Sequence, residues 1–186
     1  MDSKLVAPSL IDAKHRKPLG NLPAIKIGGF KTDSRAVLLN TASVRWAVLG
    51  VDISLNDDTT KGLGIAWQAQ IYGIGEVEDR KATSKALRKH FPDSKYVRRP
   101  VVLKACDGTP YACSYTFKTE FRRRVTYWDD NHIPYPCWET SKPPLKAREH
   151  VELLLFLDQL GIAGRMMLHK VRLLHTKEGV VLQKIE

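Results

Sequence analysis

Hydrophobic and polar positions alternate along much of this chain, and the alternation predicts two strands joined as a long hairpin. Residues 43–55 and 63–72 are rich in β-branched and aromatic side chains, and a turn-forming Asn-Asp-Asp run lies between them. Residues 24–27 alternate in the same way over a shorter distance and are followed by a glycine pair. We therefore expect ordered structure to begin at residue 24 with a short strand.

Apolar residues at helical spacing predict two helices. In residues 79–91, Ala82, Ala86 and Leu87 can face inward while the charged residues face water, and a Pro-Asp pair ends the pattern. A second helix is predicted to begin between residues 141 and 145, where proline is tolerated in a first turn, and to end at Gly161. Because its centre is apolar on nearly every side, we expect this helix to lie in the core.

Two further hairpins complete the predicted fold. Residues 96–104 and 111–117 alternate around an Asp-Gly turn, and the pattern continues through residues 121–128. Residues 170–185 are typical of a closing hairpin with Gly179 at the turn. The prediction is an α+β fold, mostly an antiparallel sheet of hairpins with two helices, in a compact single domain over residues 24–186.

The N-terminal residues 1–23 differ from the rest of the chain. They contain three prolines, few aromatic residues and the basic run from Lys14 through His15 and Arg16 to Lys17. A polar, proline-containing terminus is often poorly ordered. We therefore predict a flexible basic arm over residues 1–23.

Composition restricts the class of protein. The chain has 186 residues, of which 43% are hydrophobic and 27% charged, as in an ordinary globular domain. Its three cysteines, Cys106, Cys113 and Cys137, form no CxxC pair, and no signal-peptide pattern precedes them, so we expect reduced thiols in a protein that is not secreted. The longest apolar run is five residues, whereas a spanning helix needs about twenty, so any membrane contact is expected to be peripheral.

The net charge of +10 is concentrated in one segment. Residues 81–125 contain twelve basic and three acidic residues, while residues 41–80 contain three basic and six acidic ones. Such a concentration creates a field that attracts anions, unlike a mixed solvated surface where both signs alternate. A solvated surface is the alternative interpretation of any charge run, but here acidic partners are scarce.

The basic segment therefore predicts a polyanion-binding surface that contacts phosphates rather than bases. Some of its residues recur at helical spacing, and others lie on the predicted second hairpin. The predicted binding residues are Lys81, Lys85, Arg88, Lys89, Arg98, Arg99, Arg122, Arg123 and Arg124.

Catalytic and cofactor motifs are weak by comparison. Asp129, Asp130 and His132, with Cys137 and Glu139 nearby, could hold a divalent ion for phosphodiester cleavage, but Asp/Asn clusters commonly serve turns, and we predict no metal site. A zinc set of the three cysteines with His132 lacks zinc-ligand spacing. The two glycines of the Gly-Ile-Gly run at residues 73–75 fit a strand end better than a dinucleotide-binding turn, and no P-loop is present, so we expect no cofactor and no enzymatic activity.

The last third of the chain resembles the matrix proteins of rhabdoviruses. The similarity lies in the proline-rich loop at residues 133–138, the helix around residues 153–160 and the closing hairpin. The resemblance implies a structural protein that binds an anionic membrane and ribonucleoprotein, self-associates and promotes budding. Lys14, Arg16 and Lys17 would then be the membrane-facing arm, at about 1 kcal/mol per basic residue near the surface.

Two alternatives remain open beside this expectation. One is a nucleic-acid-binding accessory protein, such as a movement, silencing-suppressor or replication factor, without a membrane role. The other is a metal-dependent nuclease that uses Asp129, Asp130 and His132. The matrix hypothesis places the protein in the virion and the host cytoplasm, at the inner face of the membrane, with the nucleus as a further location.

Overall fold

The fold centres on a curled, mixed sheet built around the longest strands of the chain. The computed structural model describes residues 4–41, 43–106, 114, 116, 118–132, 134–135 and 137–185. The strands in chain order are β1 (Lys4–Pro18), β2 (Val44–Asp58), β3 (Gly64–Val77), β4 (Val101–Ala105), β5 (Arg123–Asp129), β6 (Cys137–Ser141), β7 (Met166–His169), β8 (Val171–Thr176) and β9 (Gly179–Lys184). The helices of nine or more residues in the described chain are α1 (Ile27–Leu39), α2 (Arg80–Arg88) and α3 (Ala147–Arg165).

The main sheet has the strand order β4-β1-β3-β2-β5-β6, and β7 pairs with β2 beyond the end of β5. All of its pairings are antiparallel except that of β2 with β5, which is parallel. Strands β8 and β9 form a separate hairpin. The predicted α+β class is confirmed. The sheet is mixed, however, and the described residues contain three helices where two were predicted.

The predicted long hairpin is confirmed as β2–β3. The Asn-Asp-Asp run predicted as its turn lies in β2, however, and the turn follows at residues 59–63. The antiparallel register of the hairpin runs from Val44 opposite Val77 to Asp58 opposite Gly64. The Gly-Ile-Gly run lies inside β3 and not at its end. A Cβ atom on Gly73 would lie 2.1 Å from the carbonyl oxygen of Val48, so close backbone approach to β2 requires glycine there.

The prediction of a flexible arm over residues 1–23 is wrong for residues 4–18. These residues form β1, which lies between β3 and β4 in the sheet. Val6 and Leu10 of this strand are 1% and 0% exposed, so its apolar positions belong to the core. The register of β1 against β3 shifts between Ile11 and Arg16, which is the signature of a bulge in the basic part of the strand.

The predicted strand at residues 24–27 is also wrong. A short 3-10 turn covers Leu22–Ala24, and helix α1 begins at Ile27. Its buried residues are Ile27, Phe30, Ser34 and Leu38, which repeat with helical spacing on one face. The glycine pair therefore lies in the first turn of a helix that packs against the sheet.

Within the described residues, the parts of the predicted second hairpin have different pairing partners. Strand β4 pairs with β1, and β5 pairs with β2 and β6, so these two strands lie apart in the sheet. The intervening residues 107–113, 115 and 117 lie outside the described residues. The closing hairpin of β8 and β9 is confirmed, with Thr176 opposite Gly179 at the turn.

Helix α3 begins at Ala147, after the predicted start between residues 141 and 145, and it lacks the predicted burial. Its backbone breaks at Gly161, which has a φ of 65°, so the helix bends where its end was expected. Leu153 and Phe156 are buried, whereas Leu154 and Leu155 are 53% and 61% exposed. The helix therefore packs against the sheet with one face and is not the central core helix.

Candidate anion-binding site

Helix α2 starts at a side-chain cap. The carboxylate of Asp79 accepts hydrogen bonds from the backbone N–H groups of Lys81 and Ala82, at 2.7 and 3.1 Å. Those bonds to Ala82 and Lys81, with the nearby charges of Lys4 and Lys81, hold the pKa of Asp79 below its ordinary value. Thr83 and Leu87 face the core, so the opposite face of α2 is left to basic residues.

A groove of about 820 Å³ separates this face of α2 from strand β4. It is lined by six basic residues, together with Ser84 and the remaining residues of β4. The six are Arg80, Lys81, Lys85, Arg88, Arg99 and Lys104. We call this surface the α2–β4 groove.

The basic residues of the α2–β4 groove are exposed and unpaired within the described chain. All six are exposed, and none forms an ion pair with a described carboxylate. The groove lining contains no acidic residue. Concentrated like charges without counter-charges repel one another and attract a multivalent anion.

Four of the predicted residues line the α2–β4 groove: Lys81, Lys85, Arg88 and Arg99. Lys89 and Arg98 are exposed but do not line it. Arg80 and Lys104 are basic lining residues that were not predicted from the sequence. Arg80 directly precedes the predicted set and could have been included. Lys104 joins the groove because β4 packs beside α2, and no local pattern indicates that contact.

Arg122 and Arg124 belong to a second, smaller cleft. This cleft, of about 280 Å³, is also lined by Ser54, Gln70, Lys118, Glu120 and Lys142. Arg122 pairs with Glu120, so the cleft is less purely cationic than the α2–β4 groove. Strands β4 and β5 stand first and fifth in the strand order, so the two basic surfaces are separate.

The prediction that Arg123 binds an external anion is wrong. Arg123 is 7% exposed, and its guanidinium pairs with the carboxylates of Asp57, at 2.6 Å, and Glu149. Alternation along β5 and its parallel pairing with β2 turn this side chain toward α3. Burial alone would raise the pKa of Asp57, but hydrogen bonds from Thr59 and Arg123 outweigh it and hold the pKa below its ordinary value.

The predicted membrane-facing arm is also corrected at Arg16. Its guanidinium lies 3.5 Å from Asp58, donates to the carbonyl oxygens of Leu63 and Gly64, and lies over the ring of Tyr96. The Arg16 side chain is 8% exposed, so it anchors the bulged end of β1 to the β2–β3 turn. The Lys14 side chain is 83% exposed and Lys17 is half-buried.

The aspartate carboxylates at the turn after β5 accept hydrogen bonds from residues close to them in the chain. Asp129 accepts a bond from the backbone N–H of Asn131, and Asp130 accepts one from the indole N–H of Trp128. Asp129, Asp130 and His132, the set considered for the alternative of a nuclease, do not form a ligand group among the described residues. The ligand group that does converge contains His132 with Cys137 and Glu139. Cys113 lies outside the described residues, and Cys106 is a free cysteine outside that group.

Trp67 differs in its environment from Trp128 and Trp138. Trp67 is fully buried and donates through its indole N–H to Glu152 of α3, at 2.9 Å. Trp128 and Trp138 are 46% and 41% exposed and meet edge to face across the β5–β6 pair.

Among the described residues, no helix has the length and apolar character required to cross a membrane.

No family model, curated protein or solved structure matches this chain. The resemblance to rhabdovirus matrix proteins therefore stays a prediction, and function has to be argued from the residues themselves.

Proposed function

We propose that this protein is a non-enzymatic nucleic-acid-binding protein that holds the phosphate backbone of RNA in the α2–β4 groove. The observation that carries the proposal is the convergence of six exposed basic side chains on one groove whose lining has no acidic residue. Lysine and arginine bind phosphate by charge and by hydrogen bonds, and such contacts supply most sequence-independent affinity.

The dimensions of the groove favour a chain of phosphates over a single anion. Arg80 and Arg88 are eight residues apart in α2, which corresponds to about 12 Å along a helix axis. That length and the number of charges exceed what one phosphate group can occupy, so the groove can contact consecutive phosphates of one strand. The lining offers Ser84 and aliphatic residues beside its charges, which favours binding without base recognition.

Fluorescence anisotropy with a labelled single-stranded RNA tests the proposal. The triple variant Lys81→Gln, Lys85→Gln and Arg88→Gln removes three charges from the groove without touching the core. It should weaken binding by more than about tenfold at 50–100 mM salt, because every phosphate that a basic residue neutralises adds counterion release to the affinity. The matched control Arg35→Gln, Arg148→Gln and Lys177→Gln removes the same charge from exposed positions elsewhere. Equal affinity of the two triple variants would contradict the proposal.

The wider role that we propose is that of a viral matrix protein that bridges ribonucleoprotein and an anionic membrane. Two features support a bridge. The α2–β4 groove is separate from the second cleft, which contains Arg122 and Arg124, and Lys14 of β1 is exposed while Lys17 is half-buried. Liposome flotation should show preferential recovery with anionic vesicles. Equal recovery with anionic and neutral vesicles would contradict the proposed membrane binding. The alternative of a nucleic-acid-binding accessory protein would then remain.

Self-association is part of the same proposal. Helix α3 exposes a row of large apolar side chains: Val151, Leu154 and Leu155 are 57%, 53% and 61% exposed. A contiguous apolar face of this kind commonly marks a protein interface. Sedimentation velocity should show a concentration-dependent oligomer that the double variant Leu154→Glu and Leu155→Glu converts to monomer. If the double variant has the same distribution of sedimentation coefficients as the wild type, this face of α3 does not mediate self-association.

A further inference from the structure

Three side chains with different metal-binding atoms converge on the β5–β6 hairpin. His132 lies in the connecting loop, and Cys137 and Glu139 lie in β6. The nearest ligand atoms of all three lie within 4.8 Å of one another. The Nδ1 atom of His132 is 3.4 Å from Oε1 of Glu139, and Sγ of Cys137 is 3.6 Å from the same oxygen.

We propose that His132, Cys137 and Glu139 bind one zinc ion. Zinc bonds to nitrogen, oxygen and sulfur are about 2.0–2.3 Å long, so neighbouring ligand atoms of a tetrahedral site stand roughly 3.3–3.7 Å apart. Both measured separations from Glu139 fall in that interval. The ligand atoms of His132 and Cys137 lie within 4.8 Å of each other, and at most a small side-chain rotation brings them to the separation required for a tetrahedral site.

The chemistry of the three ligands favours zinc over the hard cations. Thiolate and imidazole suit zinc, whereas magnesium and calcium prefer sites made of oxygen alone. Three protein ligands leave a fourth tetrahedral position for water or another group. Binding releases the thiol proton of Cys137 to solvent, because the thiolate is the form that ligates the metal.

The backbone of the hairpin explains why these residues meet. Cys137 and Glu139 are two positions apart in β6 and so lie on the same face of the strand. Their cross-strand partners are Asp129 and Tyr127 of β5, and the loop returns His132 to the same side. An ion at this place would link the loop to β6 and fix the end of the hairpin.

Cobalt titration of the full-length, reduced, chelator-treated protein tests the site. Co²⁺ replaces Zn²⁺ in such sites, and a thiolate ligand gives a near-ultraviolet charge-transfer band. One equivalent of Co²⁺ should produce this band, and one equivalent of Zn²⁺ should abolish it. The band should be lost in Cys137→Ser and kept in Cys106→Ser and Asp130→Asn, which change a cysteine and an acid outside the set.

The other two ligands are tested by affinity. His132→Gln and Glu139→Gln should each weaken Zn²⁺ binding by more than about tenfold, since even the loss of a partner that only orients a ligand costs about 10–100-fold. All three ligands are partly or fully solvent-accessible, so these variants should fold. Absence of the band in the wild type, or its loss in Cys106→Ser or Cys113→Ser while Cys137→Ser retains it, would overturn the proposal.

Discussion

Arg123 and Arg124 are adjacent in the chain and have opposite environments. Arg124 is exposed beside the second basic cleft, whereas Arg123 is buried between Asp57 and Glu149. Alternation along a strand accounts for this difference. One arginine can therefore serve an external anion, and its neighbour stabilises the packing of α3 on the sheet.

Replacing Arg123 with methionine should lower the free energy of unfolding by about 3 kcal/mol or more, because two carboxylates are left without their cation in a poorly hydrated place. Chemical denaturation measures the change. Arg124→Met, which removes the same charge from an exposed side chain, should stay within about 0.5 kcal/mol of the wild type. Similar losses in the two variants would contradict the internal role of Arg123.

His169 gives the protein a predictable response to acid. This residue of β7 is 2% exposed, and burial, with the charges of Lys170 and Arg35, lowers its pKa below the ordinary 6.5. The unfolded chain therefore takes up a proton near pH 6.5 that the folded chain takes up only at lower pH, so stability is lost as the pH falls below about 6.5.

The free energy of unfolding of the wild type should accordingly decrease between pH 7 and pH 5. His169→Leu should reduce this decrease, while the same substitution at the exposed His150 should leave it as in the wild type. His15 contributes in the same direction, because burial also lowers its pKa, so part of the dependence should remain. Identical pH profiles for wild type and His169→Leu would contradict the assignment.

At the scale of the elements, local signals predicted α2 and the β2–β3 hairpin well. Helix α2 has a capping aspartate, core residues at helical spacing and a proline after it, so its own sequence specifies it. The hairpin has two alternating runs with a polar stretch between them, although part of that stretch extends β2. In each case the interactions that stabilise the element are close together in the chain.

Elements stabilised by distant partners were missed. Strand β1 contains Pro8 and a basic run, both unfavourable signals for a strand, and it is held by pairing with residues 64–77 and 101–105. Helix α1 contains a glycine pair in its first turn, an unfavourable signal for a helix, and it is stabilised by the burial of Phe30 and Leu38. The groove itself depends on β4 packing beside α2, which also requires the tertiary fold.

The contact between α1 and the end of α3 illustrates such a tertiary interaction. The ammonium group of Lys31 donates to the carbonyl oxygens of Gly164, at 2.8 Å, and Ala163, at 3.4 Å. Lys31→Met removes a cation from a helix C-terminus and should destabilise the protein by about 1 kcal/mol. Denaturation of Arg35→Met, on an exposed position of the same helix, provides the control, and an equal effect there would rule out the capping role.

At the scale of the molecule, the charge of +10 is divided between internal and external roles. Arg16 and Arg123 are paired with carboxylates inside the fold, while the α2–β4 groove collects basic side chains that have no acidic partner among the described residues. The position of the unpaired charge, more than its total, supports a phosphate-binding function. The proposed zinc site on the β5–β6 hairpin is independent of that function.

The salt dependence of RNA binding tests the central claim most directly. The logarithm of the affinity should fall linearly with the logarithm of the salt concentration, and each phosphate contact to a single strand contributes about 0.7 to the slope. The variant Lys81→Gln, Lys85→Gln and Arg88→Gln should therefore have a slope smaller by about 2, while Arg35→Gln, Arg148→Gln and Lys177→Gln should keep the slope of the wild type. An unchanged slope in the groove variant would contradict the proposal that RNA phosphates bind in the α2–β4 groove.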